Sequence, residues 1–175
     1  MLETTYEKTK KWGAGSRFIL FYLLSISLVS FLFLYKLYYS ADFIETLENY
    51  TIRANLEEFL SSLFFAPWFE TLLYNVFLTS VFYYIKSRPI NTIFAVSLIF
   101  SISHYQNGIL APMLIFLPAL AFSWNYYLYH EKRLYVWGFL STSILHFAYN
   151  FTLCVVIPLI CIVLNIYYGV DINIK

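Results

Sequence analysis

Glu70, His104 and His146 are ionisable side chains placed inside stretches of sequence that are otherwise nearly free of charge. An ionisable residue at mid-bilayer costs about 2.5–3.5 kcal/mol on insertion scales, so it is a functional candidate by default, whereas a structural polar contact between spans is worth roughly 0.6 kcal/mol. One such residue leaves those readings balanced; three together favour a site. Their neighbours extend the pattern. His146 and Asn150 are four residues apart, share one helix face and can aim two hydrogen-bond donors at one point. Phe100 and His104 have the same spacing, which stacks a ring one turn from the imidazole. Thr71 and Asn75 repeat it on a face about a quarter turn from Glu70. Pro67 stands three residues before Glu70 and loosens the start of that helix, so that water can reach the acid.

A carboxylate among apolar walls can serve as a general base, a nearby imidazole can orient the attacking water, and converging donors can stabilise an oxyanion. That set describes hydrolysis of an acyl bond by activated water. The hydroxyls of Ser101, Ser103, Ser141, Thr142 and Ser143 keep a serine nucleophile open, although none stands in a nucleophile-elbow or Gly-x-Ser pattern. Two His and one Glu could also bind zinc, but there is no His-Glu-x-x-His helix.

The elements that must carry these groups follow from composition. The chain has 175 residues, 61% hydrophobic, 22% aromatic and 12% charged, against about 25% charged in a soluble domain. Disorder, a coiled coil, a disulfide scaffold and a soluble enzyme are all disfavoured. A net charge of +1 offers nothing to nucleic acid. The pattern predicts an all-α, polytopic transmembrane helix bundle of about six spans. A basic N-terminus occupies 1–17, a first span 18–39, an amphipathic connector 40–62, the site-bearing core 63–168 and a short tail 169–175. Within the core the breaks fall at Lys86-Ser-Arg88-Pro89, at Gln106-Asn107-Gly108 and at His130-Glu131-Lys132-Arg133, and the last long apolar stretch divides near Cys154 to Pro158.

With the N-terminus inside, nine of the eleven Lys and Arg residues fall on cytoplasmic segments, which places both ends in the cytoplasm. Counted from that face at about 1.5 Å per residue, Glu70 and Asn150 lie roughly 24 Å deep, His104 roughly 21 Å and His146 roughly 18 Å. Four polar groups on three helices thus reach a similar depth in the outer half of the bilayer. Other features have plain readings. His130 is expected to be solvated in a loop. Trp12, Trp68, Trp124 and Trp137 suit an interfacial belt. Gly138 permits close helix approach. Asn125 and Asn165 need no function, and Cys154 and Cys161 read as lipid-buried thiols.

The three patches in order are Glu70-Thr71-Leu72-Leu73-Tyr74-Asn75, Phe100-Ser101-Ile102-Ser103-His104 and His146-Phe147-Ala148-Tyr149-Asn150. This resembles the CPBP family of glutamic-type intramembrane proteases, which includes the type II CAAX prenyl endopeptidases and Abi-type proteins. Its pattern is Glu-Glu-x-x-x-Arg, Phe-x-x-x-His and His-x-x-x-Asn. The resemblance implies that Glu70 activates water, that His104 positions it, that His146 and Asn150 stabilise the oxyanion, and that Phe100 packs the site. Thr71 and Asn75 stand where the second glutamate and the arginine are expected, so a neutral pair replaces an ion pair in a supporting role.

By that resemblance the protein is an intramembrane endopeptidase, multi-pass in a prokaryotic cell membrane with a cytoplasmic N-terminus. It needs no cofactor and no metal. Its partners are the lipid bilayer and a membrane-anchored protein or peptide substrate, such as a prenylated or sorting-signal-bearing protein. Other readings are a non-catalytic immunity or scaffold protein of the same fold, a zinc-dependent membrane protease, and a small transporter using Glu70 and the histidines as a proton relay.

Overall fold

The computed structural model describes residues 2–39, 59–107, 111–157 and 159–160. The described residues are helical and contain no strand. Six helices are used below. The first two are α1 (Leu2–Lys10) and α2 (Ala14–Tyr39). The third, α3, spans residues 61–84 and alternates π and α geometry through Ser61–Phe65, Ala66–Glu70, Thr71–Leu78 and Thr79–Tyr84. Then come α4 (Pro89–Ser103), α5 (Ala111–His130) and α6 (Tyr135–Phe151), the last running on into a π turn at Thr152–Val156. Most of the amphipathic connector, Gly108 and most of the predicted sixth span lie outside the described residues.

Two turns on the basic side of the bundle use the same device. After α3, the Lys86 amide bonds the Tyr83 carbonyl at 3.0 Å and the Ser87 amide bonds Phe82 at 3.0 Å. After α5, the Arg133 amide bonds His130 at 2.9 Å and the Leu134 amide bonds Tyr129 at 3.0 Å. Both are Schellman stops, which need a left-handed residue just past the helix. Here that residue is basic, Lys86 at φ 57° and Arg133 at φ 59°, where glycine would be unstrained. Arg88 is extended and Pro89 opens α4 with its φ already helical.

The core forms around α5, whose Ala121, Phe122, Trp124, Tyr126, Tyr127 and Leu128 are buried. It packs against α2, α4 and α6. Gly138 lets α6 close on it: a Cβ there would stand 2.8 Å from the Tyr129 Cβ and 3.2 Å from the Tyr126 ring. The outer surface has the reverse polarity of a soluble protein. On α3, Thr71, Asn75 and Thr79 are 0%, 2% and 1% exposed, while Phe69, Leu72, Leu73 and Phe77 are 67%, 51%, 43% and 59% exposed. Polar groups inward and aromatic groups outward suit a hydrocarbon surrounding. Two helical stretches among the described residues, Ala111–His130 and Tyr135–Val156, are long and apolar enough to cross a membrane. Shorter apolar stretches occur at Ala14–Ser27 and Pro89–Ser103.

Two expectations need correction. His130 is not solvated: it is 5% exposed, at the end of α5 among Tyr83, Tyr126, Tyr127 and Tyr135. Its charged neighbours suggest a loop, but α5 runs through His130 and the Schellman stop follows it directly. Trp124 is not interfacial: it is buried against Tyr6 and Phe21, and its indole Nε1 donates to Thr9 at 3.3 Å. The basic N-terminus folds as α1 and lies across this end of the bundle. Glu131 receives the Tyr6 hydroxyl at 2.8 Å and the Lys10 ammonium at 2.9 Å. Burial, and next the bond to Glu131, raise the Tyr6 pKa, and the same carboxylate raises that of Lys10. Arg17, also buried, donates to the Trp12 carbonyl at 3.1 Å and lies 5.1 Å above the Tyr129 ring.

Candidate active site

Glu70, His104 and His146 come from three helices and meet on one oxygen. The Glu70 Oε2 lies 3.7 Å from the His104 Nε2 and 3.6 Å from the His146 Nε2. The side chains differ in access: Glu70 is 24% exposed, His104 21% and His146 5%. The cluster is thus closed behind His146 and open toward Glu70 and His104.

The end of α4 dictates how His104 presents itself. The last carbonyls of a helix lack intrahelical donors. The His104 amide, which would bond Phe100 in a continuing α-helix, bonds Ser101 at 3.2 Å instead. The freed Phe100 carbonyl accepts from the His104 Nδ1 at 2.8 Å and from the Ser103 hydroxyl at 2.7 Å. Ser103 also lies 3.2 Å from Nδ1. A carbonyl can only accept, so Nδ1 carries a proton and the ring turns its Nε2 toward Glu70. Ser103 and Ser101 both donate to backbone carbonyls.

His146 is fixed by aromatic packing. Phe122 stacks on it with centroids 4.6 Å apart, and Phe100 meets it edge-on at 5.7 Å. Phe100 also lies 4.8 Å from the His104 ring and 5.0 Å from Tyr74. Phe100 therefore packs on both imidazoles. The His146 Nδ1 is buried without a partner among the described residues, while Nε2 faces the carboxylate. The two imidazoles thus present their Nε2 atoms to Glu70 from different helices, His104 anchored through its Nδ1 and His146 through ring packing.

The remaining sequence candidates lie around this centre. Thr71 and Asn75 are fully buried on the inner face of α3, and the Thr71 hydroxyl and the Asn75 carbonyl oxygen have no hydrogen-bond partner among the described residues. Asn150, one turn beyond His146, donates through Nδ2 to the Ser62 carbonyl at 2.9 Å. Among the described residues, no group of three His, Cys, Asp or Glu has the arrangement to hold a metal ion. Sequence reasoning misses Phe122 and Ser62, and names Ser103 only as a possible nucleophile. Phe122 and Ser62 touch the site only through helix packing, which no local spacing reveals; Ser103 is legible as the residue beside His104.

Residues 53–152 match the family model described as type II CAAX prenyl endopeptidase Rce1-like, over more than half of the chain. The chain belongs to this family. The match ends just after Asn150 and contains Glu70, His104 and His146, so the three-motif resemblance and the three-helix geometry fall on the same segment. Rce1-like proteins are membrane-embedded peptidases, in keeping with the outward-facing aromatic surface of α3. No curated protein and no solved structure matches the chain. Within the Rce1-like segment Thr71 and Asn75 are the neutral positions, and both are sealed from solvent. An ion pair there would carry charge into a closed helix interface, where desolvation can exceed the attraction.

Proposed function

We propose that this Rce1-like protein is an intramembrane glutamic endopeptidase that hydrolyses a peptide bond in a membrane-anchored protein through water activated by Glu70. The observation that carries the reading is the convergence of two imidazole Nε2 atoms from two helices on one carboxylate oxygen of a third. Separations of 3.6 and 3.7 Å exceed hydrogen-bond length but fit a bridging water. Such a water donates one hydrogen to Glu70 and the other to the His104 Nε2, which turns a lone pair toward the substrate carbonyl. Glu70 takes the proton as the C–O bond forms. The His146 Nε2–H donates to the oxyanion that develops. Collapse of the tetrahedral intermediate breaks the C–N bond, and Glu70 returns its proton to the leaving amine.

The substrate is a prenylated or sorting-signal-bearing protein cut near its carboxy-terminus. The chain crosses the bilayer about six times with both ends cytoplasmic. The basic turns at Lys86 and Arg133 and the Glu70 cluster then occupy opposite ends of the bundle, and the site opens in the outer half of the membrane. The test compares carboxy-termini of membrane proteins in cells carrying wild-type or Glu70→Gln protein. Loss of processing with Glu70→Gln supports the reading. Unchanged processing removes Glu70 as the base and leaves the scaffold reading. Inactivation by a chelator with recovery on zinc would replace it by a metal mechanism.

A further inference from the structure

Resting on that reading, we infer that Asn150 acts as a positioning residue: it completes the backbone of α3 at a carbonyl that Pro67 leaves without a donor, and so sets Glu70 against His146. In the π turn at Ser61–Phe65 the Ala66 amide bonds the Ser61 carbonyl, a five-residue step. The Ser62 carbonyl is then short of a donor on both possible schemes. A four-residue step would use the Ala66 amide, which is already engaged. A five-residue step would use residue 67, which is proline and has no N–H. The Asn150 Nδ2 supplies the missing donor at 2.9 Å.

This bond joins α3 to α6 at one end of an antiparallel contact. Phe64 packs on Phe147 at 5.5 Å and Trp68 on Phe139 at 5.4 Å along the same interface. Glu70 and His146 face each other within it at 3.6 Å. Ring contacts tolerate sliding, whereas a hydrogen bond to one carbonyl fixes register. Asn150 is one turn from His146, and Ser62 is about two turns from Glu70. A shift there moves the carboxylate relative to both imidazoles, and a misplacement of about 1 Å can cost on the order of 10²-fold in rate. Pro67 and Asn150 therefore form a matched pair, one removing a donor and the other restoring it.

The pairing sets up a rescue that direct participation in catalysis does not allow. Full-length wild-type, Asn150→Ala, Pro67→Ala, the double variant and Glu70→Gln are purified in detergent and assayed on a fluorogenic prenylated CAAX peptide. Asn150→Ala should lower kcat about 10²-fold with KM little changed. Pro67→Ala alone should lower kcat less than Asn150→Ala does, because the restored amide merely duplicates an existing bond. In the double variant that amide reaches the Ser62 carbonyl, and kcat should recover to within about tenfold of wild type. A double variant as slow as Asn150→Ala overturns the inference and returns Asn150 to direct oxyanion contact. Thermal midpoints of the same variants separate this from the proposed chemistry. If Glu70→Gln cleaves like wild type, the glutamate mechanism fails, yet the Asn150→Ala loss in midpoint should still shrink in the Pro67→Ala background. Strictly additive midpoints overturn the pairing whatever the enzyme does.

Discussion

The bundle buries a histidine at each end, and the two are nearly matched in exposure, His146 at 4% and His130 at 5%. Both sit among aromatic rings and both have an Nδ1 that is unpartnered among the described residues. They differ in what faces the other nitrogen. His146 looks across 3.6 Å to a half-buried carboxylate. His130 stands next to Glu131 in sequence, but that carboxylate turns away to Lys10 and Tyr6. A buried imidazole is thus not by itself a site. It becomes one when a second helix brings an acid to its free nitrogen and leaves the acid open on one side.

The largest expected effect tests the acid. Glu70→Gln keeps shape and removes the base, and cleavage of the prenylated peptide should fall by about 10³-fold, within the range usual for a general base. Its thermal midpoint should stay near that of wild type. Exchanging each imidazole for a ring of similar size tests the comparison directly. His146→Phe should lower kcat by about 10²-fold through loss of the oxyanion donor. His130→Phe should leave kcat within about threefold, because no acid faces it, and should not reduce thermal stability, since it removes an unpaired buried nitrogen. The opposite ranking in a cleavage assay would break the distinction between the two ends.

Smaller effects concern the basic end alone. Gly138→Ala places a Cβ 2.8 Å from the Tyr129 Cβ, an overpacking that should cost about 1–3 kcal/mol in thermal unfolding. The smallest effect is a pH dependence. Tyr6 holds its proton more tightly folded than unfolded. Its contribution is complete below about pH 10, where a free tyrosine begins to ionise, and declines as pH rises further. The raised pKa of Lys10 acts in the same direction. The thermal midpoint should therefore drop above about pH 10, and Tyr6→Phe should flatten that drop. An unchanged slope in Tyr6→Phe would show that another group is responsible.

Much of this architecture is legible in the amino-acid sequence. The breaks at Lys86-Ser-Arg88-Pro89 and His130–Arg133 mark chain reversals that occur where charge and proline predict, and α4 begins at Pro89 as a proline start requires. Glu70, His104 and His146 stand out because an ionisable group in an apolar helix needs a reason. His130 escapes a local reading because adjacent charges suggest water, whereas its ring belongs to the last turn of α5 and packs on Tyr83 and Tyr135. Trp124 escapes it because a tryptophan near a span end suits an interface as well as a core. The N-terminal helix shows the same limit: its basic residues are visible in the sequence, but not that Tyr6 and Thr9 close over Trp124.

The sequence by itself determined the helical membrane class and the placement of three ionisable groups on three separate apolar segments, because charge scarcity and helical spacing are local properties. Only the tertiary structure decided that they meet on one oxygen of Glu70, because interhelical approach depends on packing by Phe100, Phe122 and Gly138. It also decided that His104 anchors its Nδ1 and turns its Nε2 toward Glu70, since the Phe100 carbonyl is freed only where α4 ends. The partner of Asn150 could not be read either, because the bare Ser62 carbonyl exists only once the chain before Pro67 adopts a π turn.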